Sequence, residues 1–107
     1  MRIDAVTKNP SQLLHAIQKA IKDGTLKTWE AREDDKKNIL YTHVPEQWVD
    51  KALIQLTTGA AKVSFTINWW ANKGEPSQEI KGYYIGRFTE ILLVHFRNYF
   101  DRLETYA

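Results

Sequence analysis

The chain of 107 residues carries 15 Lys and Arg against 13 Asp and Glu, a formal net charge of +2, and contains no cysteine. This length predicts one domain, residues 1–107, and a hydrophobic content of 43% suffices for a single core. The missing cysteines exclude disulfides, thiolate catalysis and cysteine-ligated metals. A net charge this small disfavours nucleic acid as a partner.

The N-terminal segment, MRIDAVTKNP, has no apolar stretch of the length that a signal peptide needs. The longest apolar run, Ile91 to Val94, spans four residues, far fewer than a membrane span requires. We therefore expect a cytoplasmic protein without membrane contact.

The first two elements are a strand and a helix. Residues 1–7 alternate between polar and apolar side chains, which predicts a short strand. Asn9 is a favourable N-cap and Pro10 suits the first helical position, so a helix is predicted over residues 10–23. Gly24 supplies the left-handed residue that ends such a helix.

The middle of the chain is typical of an antiparallel sheet. Its β-prone runs predict strands at 25–31, 38–44, 52–57 and 62–70. In the last of these, Phe65, Ile67 and Trp69 point to one face. Trp70 must then point to the other.

The last quarter of the chain has aromatic and aliphatic residues at helical spacing, namely Phe88, Leu92, Phe96, Tyr99, Phe100 and Leu103. They predict a helix over residues 87–105. Gly82 and Gly86 each weaken a helix by about 1 kcal/mol, so the helix start is placed near Arg87, with Tyr83 and Tyr84 as an edge strand. The fold class is therefore α+β: a two-layer sandwich of four to five antiparallel strands packed against two helices.

Few residues point to catalysis. The three histidines have no metal-ligand spacing and no nucleophile or phosphate-binding motif is present, so neither a metal nor a cofactor is expected. His95 and His43 are the weak candidates for a general base. This pattern favours a protein that is not an enzyme.

Two surfaces are candidates for binding. Ile91 and Val94 fall toward the polar side of the predicted helix, and Ile91 lines up with His95, Asn98 and Arg102 in a second stripe. That stripe indicates either a partner surface or deeper burial of the helix. Trp70 is the second candidate, since it turns away from the core face of its strand.

Three functions remain open. The first is a protein-interaction module, either a homodimer or an inhibitor- or immunity-type partner, that binds through Ile91, His95, Arg102 and Trp70. The second is binding of single-stranded nucleic acid on a sheet face that carries Lys27, Trp29, Lys62 and Trp70, which the charge balance opposes. The third is a small enzyme or ligand binder with a helix–sheet pocket that uses His95, Arg87 and Tyr84.

Overall fold

The computed structural model describes all 107 residues and has six strands and two helices. In chain order the elements are β1 (Arg2–Val6), α1 (Pro10–Lys22), β2 (Trp29–Glu33), β3 (Ile39–His43), β4 (Leu53–Thr58), β5 (Lys62–Asn68), α2 (Gln78–His95) and β6 (Arg102–Tyr106). Short 3-10 turns lie at Ala71–Lys73 and Arg97–Tyr99. Neither α-helix combines the length and the apolar character needed to cross a membrane.

The strands form one antiparallel sheet in the order β2-β3-β4-β5-β1-β6. Both helices lie on the same face of this sheet. Alternate residues such as Ile3 of β1 and Phe65 of β5 are fully buried in one cluster with Leu13 of α1 and Phe88 of α2. The predicted α+β fold is confirmed, with six strands instead of four to five.

Helix α1 begins and ends close to the predicted positions. The Asn9 side chain accepts a hydrogen bond from the Gln12 amide at 3.2 Å, and Pro10 occupies the first turn. Gly24 has a φ of 77°, the left-handed conformation that follows a helix end. The residues that α1 buries are Leu13, Ile17 and Ile21.

Helix α2 begins nine residues earlier than the predicted start, at Gln78 instead of Arg87. The Ser77 hydroxyl caps it by accepting from the Ile80 amide at 3.2 Å. Gly82 and Gly86 are both exposed, so the helix loses no core contact at either position. Tyr84, predicted to lie in an edge strand, is instead a fully buried helical residue. Packing of this turn outweighs the intrinsic cost of two glycines.

The same helix ends ten residues before the predicted end, at His95 instead of residue 105. Phe96 leaves the helical conformation with a φ of −127°, and residues Arg102–Tyr106 become the edge strand β6. In β6, Leu103 pairs with Ala5 of β1 and is half-buried. The spacing of Tyr99, Phe100 and Leu103 matches a helical period, but these residues do not continue the helix. The free edge of β1 offers hydrogen-bond partners to the backbone of Arg102–Tyr106, and a longer helix would leave those β1 groups unpaired.

The sheet face opposite the helices is partly covered. Leu40 and Leu53 lie on this face by strand alternation, yet they are only 2% and 1% exposed. On this side Asp50 links Arg32 to Trp70, because its Oδ1 accepts from Arg32 Nε at 3.2 Å and lies 3.4 Å from Trp70 Nε1. The segment after β3 and the residues after β5 therefore meet on this side of the sheet.

Candidate functional site

The outward side of α2 carries apolar residues where a surface helix normally carries polar ones. Tyr83, Leu93 and Val94 are 54%, 50% and 62% exposed. They lie on the same side of the helix as Gly82 and Gly86. We call these five residues the outer face of α2.

The two glycines make this face locally flat. A Cβ added at Gly82 or at Gly86 would meet no atom within 4 Å, so neither glycine is required by packing inside the chain. Each nevertheless costs helix stability relative to alanine. A bare helix surface beside exposed Leu93 and Val94 can therefore accept the side chains of another helix at close range.

The second stripe predicted from the sequence does not exist as one surface. Ile91 is only 7% exposed and belongs to the core, which is the deeper burial that the sequence left open. His95 is the exposed last residue of α2, and Arg102 lies on β6. The prediction that these residues form one helical stripe was wrong, because the helix stops at His95. Val94, which also failed to fit the polar side, is the residue that pointed to an exposed apolar face.

A cleft of about 260 Å³ lies between the β2–β3 end of the sheet and α2, with His43, Thr28, Trp48, Arg87 and Glu90 among its lining residues. His43 is 6% exposed and its Nδ1 lies 2.9 Å from the Thr28 carbonyl oxygen. Because that oxygen can only accept, Nδ1 carries the proton and Nε2 holds the lone pair of the neutral ring. Burial lowers the pKa of His43, and the nearby Arg87 charge lowers it further, while the Thr28 contact and Glu90 oppose both.

The cleft brings together two residues named from the sequence, His43 and Arg87, and a third, Tyr84, packs beside His43, but these residues do not form a catalytic set. Tyr84 is fully buried, with its hydroxyl donating to the Trp48 carbonyl and lying 3.1 Å from Thr42 Oγ1. A carbonyl, rather than a carboxylate, orients His43. His95 does not line this cleft; it is exposed at the C-terminus of α2. No group of three His, Asp or Glu side chains is placed to hold a metal ion.

The tryptophans are divided between the two faces of the sheet. Trp29 is 1% exposed and packs edge-on against Phe88 and Tyr84 in the core. It therefore cannot stack on a base, which removes one of the residues predicted for a nucleic-acid surface. Trp70 is half-buried on the opposite side, where its Nε1 lies 3.4 Å from Asp50 Oδ1. It follows the end of β5 at Asn68, so the strand stops two residues before its predicted end.

Comparison of the chain with protein-family models, with curated proteins and with solved structures finds no significant match.

Proposed function

We propose that the protein is a non-enzymatic interaction module that forms a homodimer through the outer face of α2. The observation that carries this proposal is the exposure of Tyr83, Leu93 and Val94 along one side of a single helix. Apolar residues grouped in this way mark protein contacts more often than solvated surface. A second copy is the occupant that the pattern of this face fits best.

The face is complementary to itself in an antiparallel two-fold arrangement. Two residues then face each other when they lie equally far on either side of the two-fold axis and on the same side of the line of contact. Tyr83 and Val94 meet both conditions when the axis passes near the level of Phe88. Gly82 and Leu93 also satisfy both conditions, on the other side of the contact line, and the midpoint between them lies within about one residue of the same axis position. Each bulky residue thus finds a matching position on the partner.

The charges on this side of the helix agree with the same arrangement. Arg87 and Glu90 also lie about equally far from the level of Phe88, on the side of the contact line that holds Tyr83. Within one chain their charged atoms are 3.8 Å apart, and both side chains are more than half exposed. In the two-fold pair, each Arg87 would face Glu90 of the other copy, so the pair would form twice.

Light scattering over a concentration series tests self-association. We expect a weak dimer to form between about 1 µM and about 1 mM, because one helix pair buries less than a standard interface. Leu93→Asp should leave a folded monomer at every concentration. Ile39→Asp is the matched control, since Ile39 is also an exposed apolar residue (43%) but lies on β3. A wild-type chain that stays monomeric throughout would overturn the proposal.

Charge reversal tests the register. Arg87→Glu and Glu90→Arg should each weaken the dimer, because each places like charges opposite each other twice. A mixture of the two variants should restore association, since every contact then joins opposite charges. Lys27→Glu, on an exposed loop, is the control. If both variants dimerise as well as the wild type, this pairing of the helices is wrong.

The absence of native cysteine allows a direct measurement of geometry. In the antiparallel pair, the two copies of residue 90 lie about 6 Å apart along the helix axes, and the two copies of residue 79 lie about 27 Å apart. Glu90→Cys should therefore oxidise to a disulfide-linked dimer, and Glu79→Cys should not. Linkage through Glu79→Cys would indicate parallel helices and contradict the arrangement.

A further inference from the structure

A trough of about 600 Å³ lies on the sheet face opposite the helices, between the β2–β3 hairpin and the residues that follow β5. Its floor contains Gln55 of β4 and Asn68 of β5, and Asn38, Asn72 and Trp70 line its sides. This volume is within the range of small-molecule sites, about 300–1,000 Å³. We propose that the trough binds a neutral, hydroxyl-rich ligand of the oligosaccharide class.

The amide side chains on the floor are held in defined orientations. Asn68 Nδ2 donates to Gln55 Oε1 at 3.2 Å, while Asn68 Oδ1 accepts from the Trp69 amide at 2.8 Å. The carboxamide oxygen of Gln55 is therefore committed to Asn68, which leaves its NH₂ group as a donor toward the trough. A fixed donor needs no ordering when a ligand binds, which favours affinity.

The hairpin side supplies acceptors. Asn38 Nδ2 donates to Asp34 Oδ2 at 3.1 Å, so the Asn38 carbonyl oxygen is the group left for a ligand. Asp34 Oδ1 also accepts from the amides of Asn38 and Lys36, while Oδ2 accepts only from Asn38 Nδ2 and keeps one acceptor position. The same bonds, that from the Asn38 amide foremost, lower the pKa of Asp34. A sugar hydroxyl both donates and accepts, and the trough offers it amide donors and carbonyl acceptors together.

Charge disfavours phosphate-bearing ligands. Asp34 and Asp35 line the trough together with one cation, Lys36, so its formal charge is negative. Nucleic acid binding requires several cationic contacts with the backbone, and the trough lacks them. Among hydroxyl-rich molecules, a neutral one therefore fits better than a nucleotide.

Trp70 supplies the apolar surface that such a ligand needs. Its indole lies with Nε1 toward Asp50, and Asp50 is itself paired with Arg32, so the ring is tied to the sheet rather than free. The negatively polarised face of an indole attracts the C–H groups on one side of a pyranose ring. Trp70 would orient the sugar, and the amides would select its hydroxyl pattern. Because α2 lies on the other face of the sheet, the dimer proposed above leaves the trough accessible.

The test is a titration of the full chain, followed by NMR of the side-chain N–H groups. The probes are maltotetraose, cellotetraose and mannotetraose, with the single-stranded oligonucleotide octathymidylate as the competing class. We expect at least one oligosaccharide to shift the Trp70 indole signal and the Gln55 amide signals together, with a dissociation constant of about 1 mM. The Trp70 signal is assigned by its loss in Trp70→Phe.

Two variants and one control complete the test. Gln55→Ala should weaken oligosaccharide binding by about fivefold, as the loss of one hydrogen bond predicts, and Trp70→Ala should weaken it further. Gln47→Ala removes an exposed amide outside the trough and should have no effect. If no oligosaccharide shifts the Trp70 and Gln55 signals, or if only octathymidylate does, the proposal is wrong. Binding that Gln55→Ala leaves unchanged would also overturn it.

Discussion

Replacing the two glycines of α2 by alanine should change folding and self-association in opposite directions. Gly82 and Gly86 are exposed helical residues, and a Cβ at either position meets no atom within 4 Å. Because glycine is about 1 kcal/mol less favourable than alanine in a helix, each substitution should stabilise the folded monomer by about that amount. The double variant should therefore gain about 2 kcal/mol, or about 8 °C in Tm.

The same two methyl groups should weaken the proposed dimer. In the two-fold arrangement Gly82 receives Leu93 of the other copy, and Gly86 lies near the axis, where the helices approach most closely. An added Cβ at these positions forces the helices apart and removes contacts along the whole face. Stability and association should therefore change with opposite signs, which is unusual for a substitution that only fills surface space.

Urea unfolding at low protein concentration measures the first effect, and light scattering at high concentration measures the second. His15→Ala, on the exposed side of α1, is the control and should leave association unchanged. A double variant less stable than the wild type would show that residues 78–86 do not form an open helical turn. A variant that is more stable but dimerises normally would show that the glycines lie outside the contact.

Two further predictions concern buried polar groups. Burial alone raises the pKa of Asp4 (1% exposed), but hydrogen bonds from Ser64, Lys62 and Arg2 outweigh the effect of burial and lower that pKa. Asp4→Asn should therefore cost about 1–3 kcal/mol in urea unfolding at pH 7. Acidification through the folded-state pKa of Asp4 should erase the difference in stability between this variant and the wild type. A loss under about 0.5 kcal/mol would contradict this role. The pKa of His43 is lowered in the fold, so the unfolded chain binds the extra proton first and stability should fall as pH drops below about 6.5, the unfolded-state value. His43→Asn, which keeps a donor for Thr28, should flatten the Tm profile between pH 7.5 and 5.5; an unchanged profile would show that His43 does not titrate in this window.

Local patterns predicted much of the fold because its strongest elements satisfy local and tertiary preferences together. In β5, Phe65 and Ile67 alternate toward the core as expected, and both are buried. The N-cap of α1 could be identified from Asn9 and Pro10 alone, since capping involves only neighbouring residues. Phe96 belongs to the apolar series that predicted the last helix and is only 5% exposed, although it ends that helix instead of continuing it.

The candidate surfaces were harder to predict, because each depends on where an element stops or on what lies across the sheet. The exposed helical position of Tyr83 follows from the true start of α2 at Gln78, which the glycine penalties concealed. The trough joins Asn38, Gln55 and Asn72, which come from three separate segments of the chain. No sequence spacing relates residues that become neighbours only when strands pair.

The sequence by itself determined the fold class, the position of α1, the central strands and the aromatic core, since each follows from side-chain periodicity and turn chemistry within a short segment. Only the tertiary structure decided that Arg102–Tyr106 is a strand. Its residues suit a helix or a strand about equally, and the open edge of β1 supplies the backbone partners that select the strand. The tertiary structure also decided that Ile91 lies in the core and Val94 in solvent, because the burial of a helical residue depends on the neighbours that its side of the helix meets.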